Sequence, residues 1–566
     1  MSTTCSTHHL PDEVLSLVFG AVAQAVRGAH KRLVVALSVS QVCRFWRMVA
    51  LGPGGRTLWK NIPIWSTVDC ARAFIERSAP LPFSLVIELG DTKWPTYVPA
   101  LAEAALSMHR AGAIEVVDLY DREESLSAEE AARDEKIYQI LNTTTAPLLA
   151  KLDMTFVHIA PPYDDPPLLS PDFLGGEIPQ ALRILNITGR RIMPDSAFLR
   201  ASLTALIITS CRVWNNIDEV LGTLSHMPGL EVLVLESEVN TFCPHATDAF
   251  MEYNHERFVP LPRLKVLKIE DDAFTAPLLI LAYLRVPLST RVHLFPASSD
   301  YDSFMAAEEG PLLETRVAHD IALLRLALTA HFQAGTGPSA LVAPFNTIAI
   351  AQDGNGWNFV FHAVYESESQ DASPIGEFTF RYYAGPRSAA GRRRLAAVAN
   401  ALLTLPVMSQ ADLLIVSHDG LYGSGCSADW TPLCGFFPKL VNLAVSRGAI
   451  HGVLPALRNE HLFPGIESLT IAGVRLEDNE DDAARTAHYL ISMHDTLRAR
   501  AASAHKIPSI NFCDCFGVDK LARTLKRLSP DMKVCASGLS TLEGALEREE
   551  AWDDADEDIR YMVDRI

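Results

Sequence analysis

Met227-Pro228-Gly229-Leu230-Glu231-Val232-Leu233 and Leu261-Pro262-Arg263-Leu264-Lys265-Val266-Leu267 are one phrase written twice. Each has a proline lead-in and an identical Leu-x-Val-Leu. Each runs on into an alternating apolar residue, Leu235 or Ile269. Alternation with a period of two reads as a short strand. The phrase, in the form L-x-x-L-x-apolar, also occurs at Leu149/Leu152/Met154, Leu182/Leu185/Ile187 and Leu203/Leu206/Ile208. It resumes at Leu440/Leu443/Val445 and Ile466/Leu469/Ile471. The steps between central leucines are 33, 21, 27 and 34 residues, and 26 for the later pair. Periods in the twenties are repeat-array periods. One strand with its connection cannot bury its leucines alone, whereas stacked neighbours bury them as a continuous core. The expected class is therefore an α/β repeat with a parallel sheet.

Working outward, Ser84–Leu89 and Ile114–Leu119 read as the first strands. Ser127-x-x-Glu130 is a capping-box pattern that opens a helix through Ile137, Ile140 and Leu141. Residues 297–400 break the phrase. Asn346–Ala351, Asn358–Tyr365 and Glu377–Tyr383 read as aromatic and β-branched strands there, either divergent repeats or an inserted antiparallel patch. Divergent repeats are the preferred reading. Residues 543–566 hold ten acidic and three basic residues, so 541–566 reads as an acidic, solvated C-terminal tail.

A chain of 566 residues exceeds one ordinary core. Its 48% hydrophobic content indicates a folded chain. The 49 basic against 68 acidic residues give a net charge of −19, which argues against nucleic acid as the main partner. No uncharged stretch is long enough to span a membrane. The ten cysteines are scattered without a C-x-x-C pair, and the first residues lack the pattern of a secretory leader. The expectation is a reduced, cytoplasmic or nuclear protein with no membrane partner.

The first 65 residues read differently. Leu10-Pro11-Asp12-Glu13-Val14-Leu15 starts a helix, with acidic residues at the positive end of its dipole. Val14, Leu15, Val18, Phe19 and Val22 form one apolar stripe. A second apolar segment spans Leu33 to Val39. A third helix starts near Ser40 as N-cap and carries Val42, Phe45, Trp46 and Val49. Gly52-Pro53-Gly54-Gly55 stops it, and Leu58-Trp59 follows as an anchor. Three short helices cannot bury a large core, so part of their apolar surface is expected to dock on something. Residues 1–60 also hold seven Lys/Arg against two acids. No base-reading motif accompanies them.

The Leu-Pro-x-Glu-Val-Leu opening, the Val42-Cys43-Arg44-Phe45-Trp46 core and the later Leu58-Trp59 resemble the F-box family closely. The recurrent leucine phrase resembles the irregular leucine-rich repeats that often follow an F-box, particularly in fungal proteins. The resemblance implies a three-helix F-box over 1–65, an irregular leucine-rich-repeat solenoid over 66–540, and the tail. It implies that Leu10, Pro11, Leu15, Phe19, Val42, Cys43 and Trp46 contact a Skp1-type adaptor and, through it, a cullin. The solenoid would hold an unknown protein substrate for ubiquitylation. The Gly20–Ala36 stretch departs from the family by its length.

No phosphate loop, nucleophile elbow or H-E-x-x-H motif is present. Gly335-x-Gly337 and Gly354-x-Gly356 lack the context of a dinucleotide site. Cys513-x-Cys515 near His505 reads as buried structural thiols on one face of the last repeat, not as metal ligands. Arg392-Arg393-Arg394 reads as solvated surface. No catalytic residue, metal or cofactor is expected, and the chain is read as a non-catalytic substrate-recruiting subunit. A repeat scaffold without ubiquitin delivery, and an enzyme hidden in the irregular middle, are the alternatives.

Overall fold

The computed structural model describes residues 10–25, 29–89, 97–118, 128–156, 168–236, 257–271, 275–295, 311–332, 345–352, 358–365, 376–383, 397–405, 407–408, 411–418, 437–446, 449–459, 462–473, 491–500, 502, 505–513, 515, 519–528 and 530–537. The chain divides into two compact units, residues 1–244 and 245–565. The acidic tail, Arg392–Arg394, the glycine pairs near 335 and 354, and Ser127 of the capping-box pattern lie outside the described residues.

Unit 1 opens with three helices, α1 (Asp12–Ala25), α2 (Ala29–Gln41) and α3 (Arg44–Leu51). The long Gly20–Ala36 stretch is mostly helix, because α1 runs on to Ala25 and α2 starts at Ala29. Ser40 is not the cap of the third helix. Its hydroxyl bonds back to the Leu37 carbonyl at 2.8 Å and lets α2 run on to Gln41. Cys43 takes the N-cap position, and its sulfur accepts from the Trp46 N–H at 3.4 Å.

A 3-10 turn, Pro53–Trp59, then carries the chain to the sheet. A Cβ on Gly55 would stand 2.2 Å from the Ala50 carbonyl oxygen, which is why glycine occupies this turn. Trp59 is buried. It donates from Nε1 to the Ala50 carbonyl at 2.8 Å and meets Phe74 edge-on at 4.8 Å. Phe74 belongs to α4 (Val68–Ser78), which Thr67 caps by accepting from the Cys70 N–H. The helices thus share unit 1 with the strands that follow.

Those strands are β1 (Asn61–Ile62), β2 (Phe83–Leu89), β3 (Ala111–Asp118), β4 (Lys151–Phe156), β5 (Ile184–Thr188), β6 (Ala205–Thr209) and β7 (Val232–Glu236). Each pairs in parallel with the next, so spatial order follows chain order. The leucine phrase sets the register. Leu152, Leu185, Leu206 and Leu233 are partners across four strands, and Met154, Ile187, Ile208 and Leu235 form the next row. All are buried, each contributing roughly 1.5–3 kcal/mol of transfer free energy.

The connections carry α5 (Tyr97–Ala105), α6 (Ala128–Asn142) and α7 (Ile217–Ser225). Ile137 and Leu141 of α6 are buried. On the opposite sheet face the Asn186 amide donates to Asp153 at 3.0 Å, and Thr209 donates to Glu236 at 3.1 Å.

Unit 2 contains a two-stranded parallel pair, β8 (Val259–Pro260) with β10 (Leu284–Arg285). Its large sheet uses β9 (Val266–Glu270), β11 (Arg291–Phe295), β12 (Thr347–Gln352), β13 (Asn358–Tyr365), β14 (Gly376–Tyr383), β15 (Leu413–His418), β16 (Asn442–Ser446), β17 (Ser468–Ala472), β18 (Ser509–Cys513) and β19 (Lys533–Ser537). β9 and β11 pair in parallel, and β15 to β19 run in parallel and in chain order.

Between them the order is β11-β14-β13-β12-β15, with β13 antiparallel to both neighbours. The preferred reading of this stretch as divergent repeats is therefore overturned in favour of the antiparallel patch. Only five residues separate Gln352 from Asn358, far too few for a parallel crossover but enough for a hairpin. Both units are thus α/β, with a mostly parallel sheet.

Helix α8 (Thr275–Tyr283) is buried along its whole length and packs against the helix Pro311–Phe332. The Thr275 hydroxyl donates to Asp320 at 3.0 Å. Farther on, Arg500, in the helix at 491–500, is fully buried. Its guanidinium donates to the carbonyls of Leu457 at 2.6 Å, Asn459 at 3.3 Å, Phe463 at 3.4 Å, and Leu462. It thereby caps the helix Ile450–Arg458 and ties Leu462 and Phe463 to the helix that carries it. Among the described residues no helix is long and apolar enough to cross a membrane.

Candidate docking face of the N-terminal helices

Helix α1 is apolar on more than one side. Leu15, Phe19 and Ala23 recur every four residues and face inward, with Leu15 and Phe19 only 2% exposed. Val14, Leu17, Val18 and Val22 recur at i, i+3, i+4 and i+8 on a second stripe, and that stripe is exposed, Leu17 by 74%. An ordinary surface helix presents polar residues there. Val34 of α2, Val42 in the turn, and Met48 and Leu51 of α3 are exposed as well. With Leu10, residues 10–51 supply nine of the seventeen large apolar side chains exposed among the described residues. The other eight are scattered over the chain from Leu106 to Ile491. Single exposed apolar residues need no explanation, whereas a concentration marks an interaction surface.

The expected contact residues separate into two groups. Leu10, Pro11 and Val42 are exposed, and Cys43 and Trp46 are half-buried. Leu15 and Phe19 are core side chains, so neither is free to touch a partner. Phe19 packs against Trp46 with ring centroids 4.9 Å apart, which joins α1 to α3. The residues that sequence reasoning missed are Leu17, Val34, Met48 and Leu51, and it placed Val14, Val18 and Val22 on one stripe with Leu15 and Phe19. The signal was present. Apolar residues at i, i+1, i+4, i+5 and i+8, with Leu17 and Ala21 between them, cover too much of a helix to be buried on one side.

The same helices carry exposed basic groups. Arg44 and Arg47 of α3 are exposed, and the Arg47 Nε donates to the Ser40 carbonyl at 2.9 Å, tying α3 to the end of α2. Exposed cations of this kind supply attraction to an acidic partner without sequence reading.

The thiol pair does not lie on one strand face. β18 ends at Cys513, which is buried, and Cys515 lies beyond the strand. The two do not share a strand face, and β18 is followed by one more strand. The Cys515 thiol donates to the carbonyls of Cys513 at 3.2 Å and Ile471 at 3.4 Å. The His505 ring donates from Nδ1 to the Pro464 carbonyl at 3.0 Å. Cys211 in unit 1 is likewise a core thiol, pushed up to about 12 by burial. No group of three His, Cys, Asp or Glu side chains suited to a metal ion occurs among the described residues. No family model matches the chain, and a search of the curated proteins returned no match.

Proposed function

We propose that the chain is a substrate-recruiting subunit of a Skp1–cullin–F-box ubiquitin ligase. The N-terminal helices dock on a Skp1-type adaptor, and the strands that follow form an irregular leucine-rich-repeat solenoid that holds a protein target. The observation that carries this reading is the exposed apolar stripe of α1, Val14, Leu17, Val18 and Val22, with Val42 and Met48 exposed as well. A free-standing chain gains nothing from leaving these side chains in water. Leu15, Phe19 and Trp46 then serve as the scaffold behind the docking face. The solenoid reading is supported by parallel strands in chain order with the leucine phrase in register. Catalysis by such a subunit is positional, because tethering raises the effective concentration of a target lysine beside the charged ubiquitin carrier.

The test is co-purification of the full chain with a Skp1-type adaptor. Wild type is expected to bind, and Leu17→Asp/Val18→Asp is expected to lose binding by at least a hundredfold while melting like wild type. Failure of the wild-type chain to bind the adaptor overturns the proposal. Longer half-lives of specific cellular proteins in the double variant distinguish delivery from mere scaffolding.

A further inference from the structure

The sheet of unit 2 holds a row of side chains that departs from the apolar rule. Lys268 of β9, His293 of β11, Thr379 of β14 and His362 of β13 are register partners on four adjacent strands. Alternation along the strands puts Arg291 and Glu377 on the same face one step before this row. It puts Glu270, Phe295 and Arg381 one step after it. Val292, Leu294, Phe378 and Phe380 fill the opposite, apolar face.

Polar residues on a sheet face ordinarily meet water. Here Lys268, His293 and His362 are buried, and Thr379 is only 1% exposed. Among the described residues of this face the charges are unequal. Lys268 lies 3.8 Å from Glu270. Glu377 lies 3.9 Å from Arg291 and 3.1 Å from His362 Nε2. Arg381 adds a third cation, its guanidinium 5.3 Å from the Phe295 ring centroid.

Among the described residues, two donors on this face are left over. The Thr379 hydroxyl and the Arg381 Nε are both buried without a hydrogen-bond partner. They belong to alternate residues of one strand and so point the same way. His293 is the register partner of Thr379, and burial lowers it to about 4, so its ring is neutral near pH 7. A neutral imidazole can donate from either nitrogen. Unspent donors together with one excess cation, in a setting from which water is largely excluded, fit a compact anion. The near-complete burial of the row excludes a polypeptide or nucleic-acid chain as occupant.

We propose that this row binds the oxyanion group of a small molecule, a phosphate or a carboxylate, between Thr379, Arg381 and His293. The site lies in unit 2 and involves none of the N-terminal helices, so it is independent of the adaptor proposal. The test uses the full chain at pH 7, titrated with inorganic phosphate and separately with succinate. Ionic strength is matched by sodium chloride, and melting temperature and calorimetric heat are followed.

One of the two anions is expected to raise the melting temperature saturably, and which one does so identifies the group recognised. Thr379→Val and Arg381→Gln are each expected to weaken binding at least tenfold. Thr379→Ser retains the hydroxyl and is expected to bind like wild type, which separates a lost donor from a damaged fold. The Leu17→Asp/Val18→Asp variant is expected to bind the anion unchanged. In the wild-type chain the bound anion is also expected to shift the His293 ring resonances. Stabilisation no greater than that given by chloride for both anions, or Thr379→Val and Arg381→Gln binding like wild type, overturns the proposal.

Discussion

The two units use the same apolar phrase and part company in what lies on the other side of it. In unit 1 strand follows strand without interruption, and the polar face keeps partly exposed side chains such as Asp153, Asn186 and Thr209. In unit 2 the order breaks at β12–β14, and beside that break the polar face becomes a buried row of Lys268, His293, Thr379 and His362. A regular array needs only its leucines in register, so its other face is unconstrained and stays wet. An inserted antiparallel patch brings in residues chosen by a different rule. The departure from the local pattern is therefore where unusual chemistry is concentrated.

Three perturbations probe this contrast. The largest effect is expected for Arg500→Met in unit 2, which leaves four main-chain carbonyls without their buried donor. A loss on the order of 4 kcal/mol is expected. Hydrogen exchange should locate that loss around residues 450–463 and leave the strands of unit 1 protected. Uniform deprotection of both units would show that the two do not unfold separately.

A smaller effect is expected for Leu206→Ala in unit 1. It removes one member of the four-strand leucine row and should cost about 3 kcal/mol. Deprotection should spread to β5 and β7, the register neighbours, before it reaches β1. Loss confined to β6 alone would break the picture of a shared ladder.

The smallest effect concerns acid. Burial lowers both His293 and His331 from the ordinary 6.5 to about 4. Between these values the unfolded chain binds more protons than the folded one, so stability falls as pH falls from 6.5 to 4. Glu377 acts in the same direction at lower pH. Burial alone would raise it, but the hydrogen bond from His362 and the charges of His293, His362 and Arg291 outweigh that and bring it to about 2. Its contribution is intact above 4.5 and is lost as pH falls toward 2. In unit 1 the Glu103 carboxyl is also lowered, by its hydrogen bond from Arg72, but this is an exposed surface pair of little consequence. Unit 2 should therefore lose exchange protection first on acidification. His331→Leu should flatten the slope between pH 6.5 and 4 by on the order of 2 kcal/mol.

What the sequence disclosed follows from the same contrast. The seven leucine phrases gave strand positions and even register, because burial on one face and a period of two leave little freedom. The three middle strands were placed correctly by composition, yet their direction was misjudged. Direction depends on connection length, and the short Gln352-to-Asn358 gap was the clue. At the N-terminus the helices were legible, but their two faces were not told apart, because α1 is apolar on both. Cys43 displaced Ser40 as the cap of α3, since serine can satisfy itself inside a helix by bonding to a carbonyl three residues back. The buried row of unit 2 was invisible. Lys268, His293 and Thr379 alternate with apolar residues as solvent-facing side chains do, and only the three-dimensional setting shows them enclosed.

The burial of Trp59 bears on how this chain is best dissected. The ring is held by the Ala50 carbonyl on one side and by Phe74 on the other, with the Arg77 guanidinium 4.5 Å from its centroid. Directly after it, β1 covers the open side of β2. The segment that follows the helices is thus the end-stop of a strand stack. A truncation starting after residue 65 would uncover a bare strand edge, which invites chains to join edge to edge. Insolubility of such a fragment would then masquerade as a lost partner, and surface substitutions such as Leu17→Asp remain the cleaner scalpel.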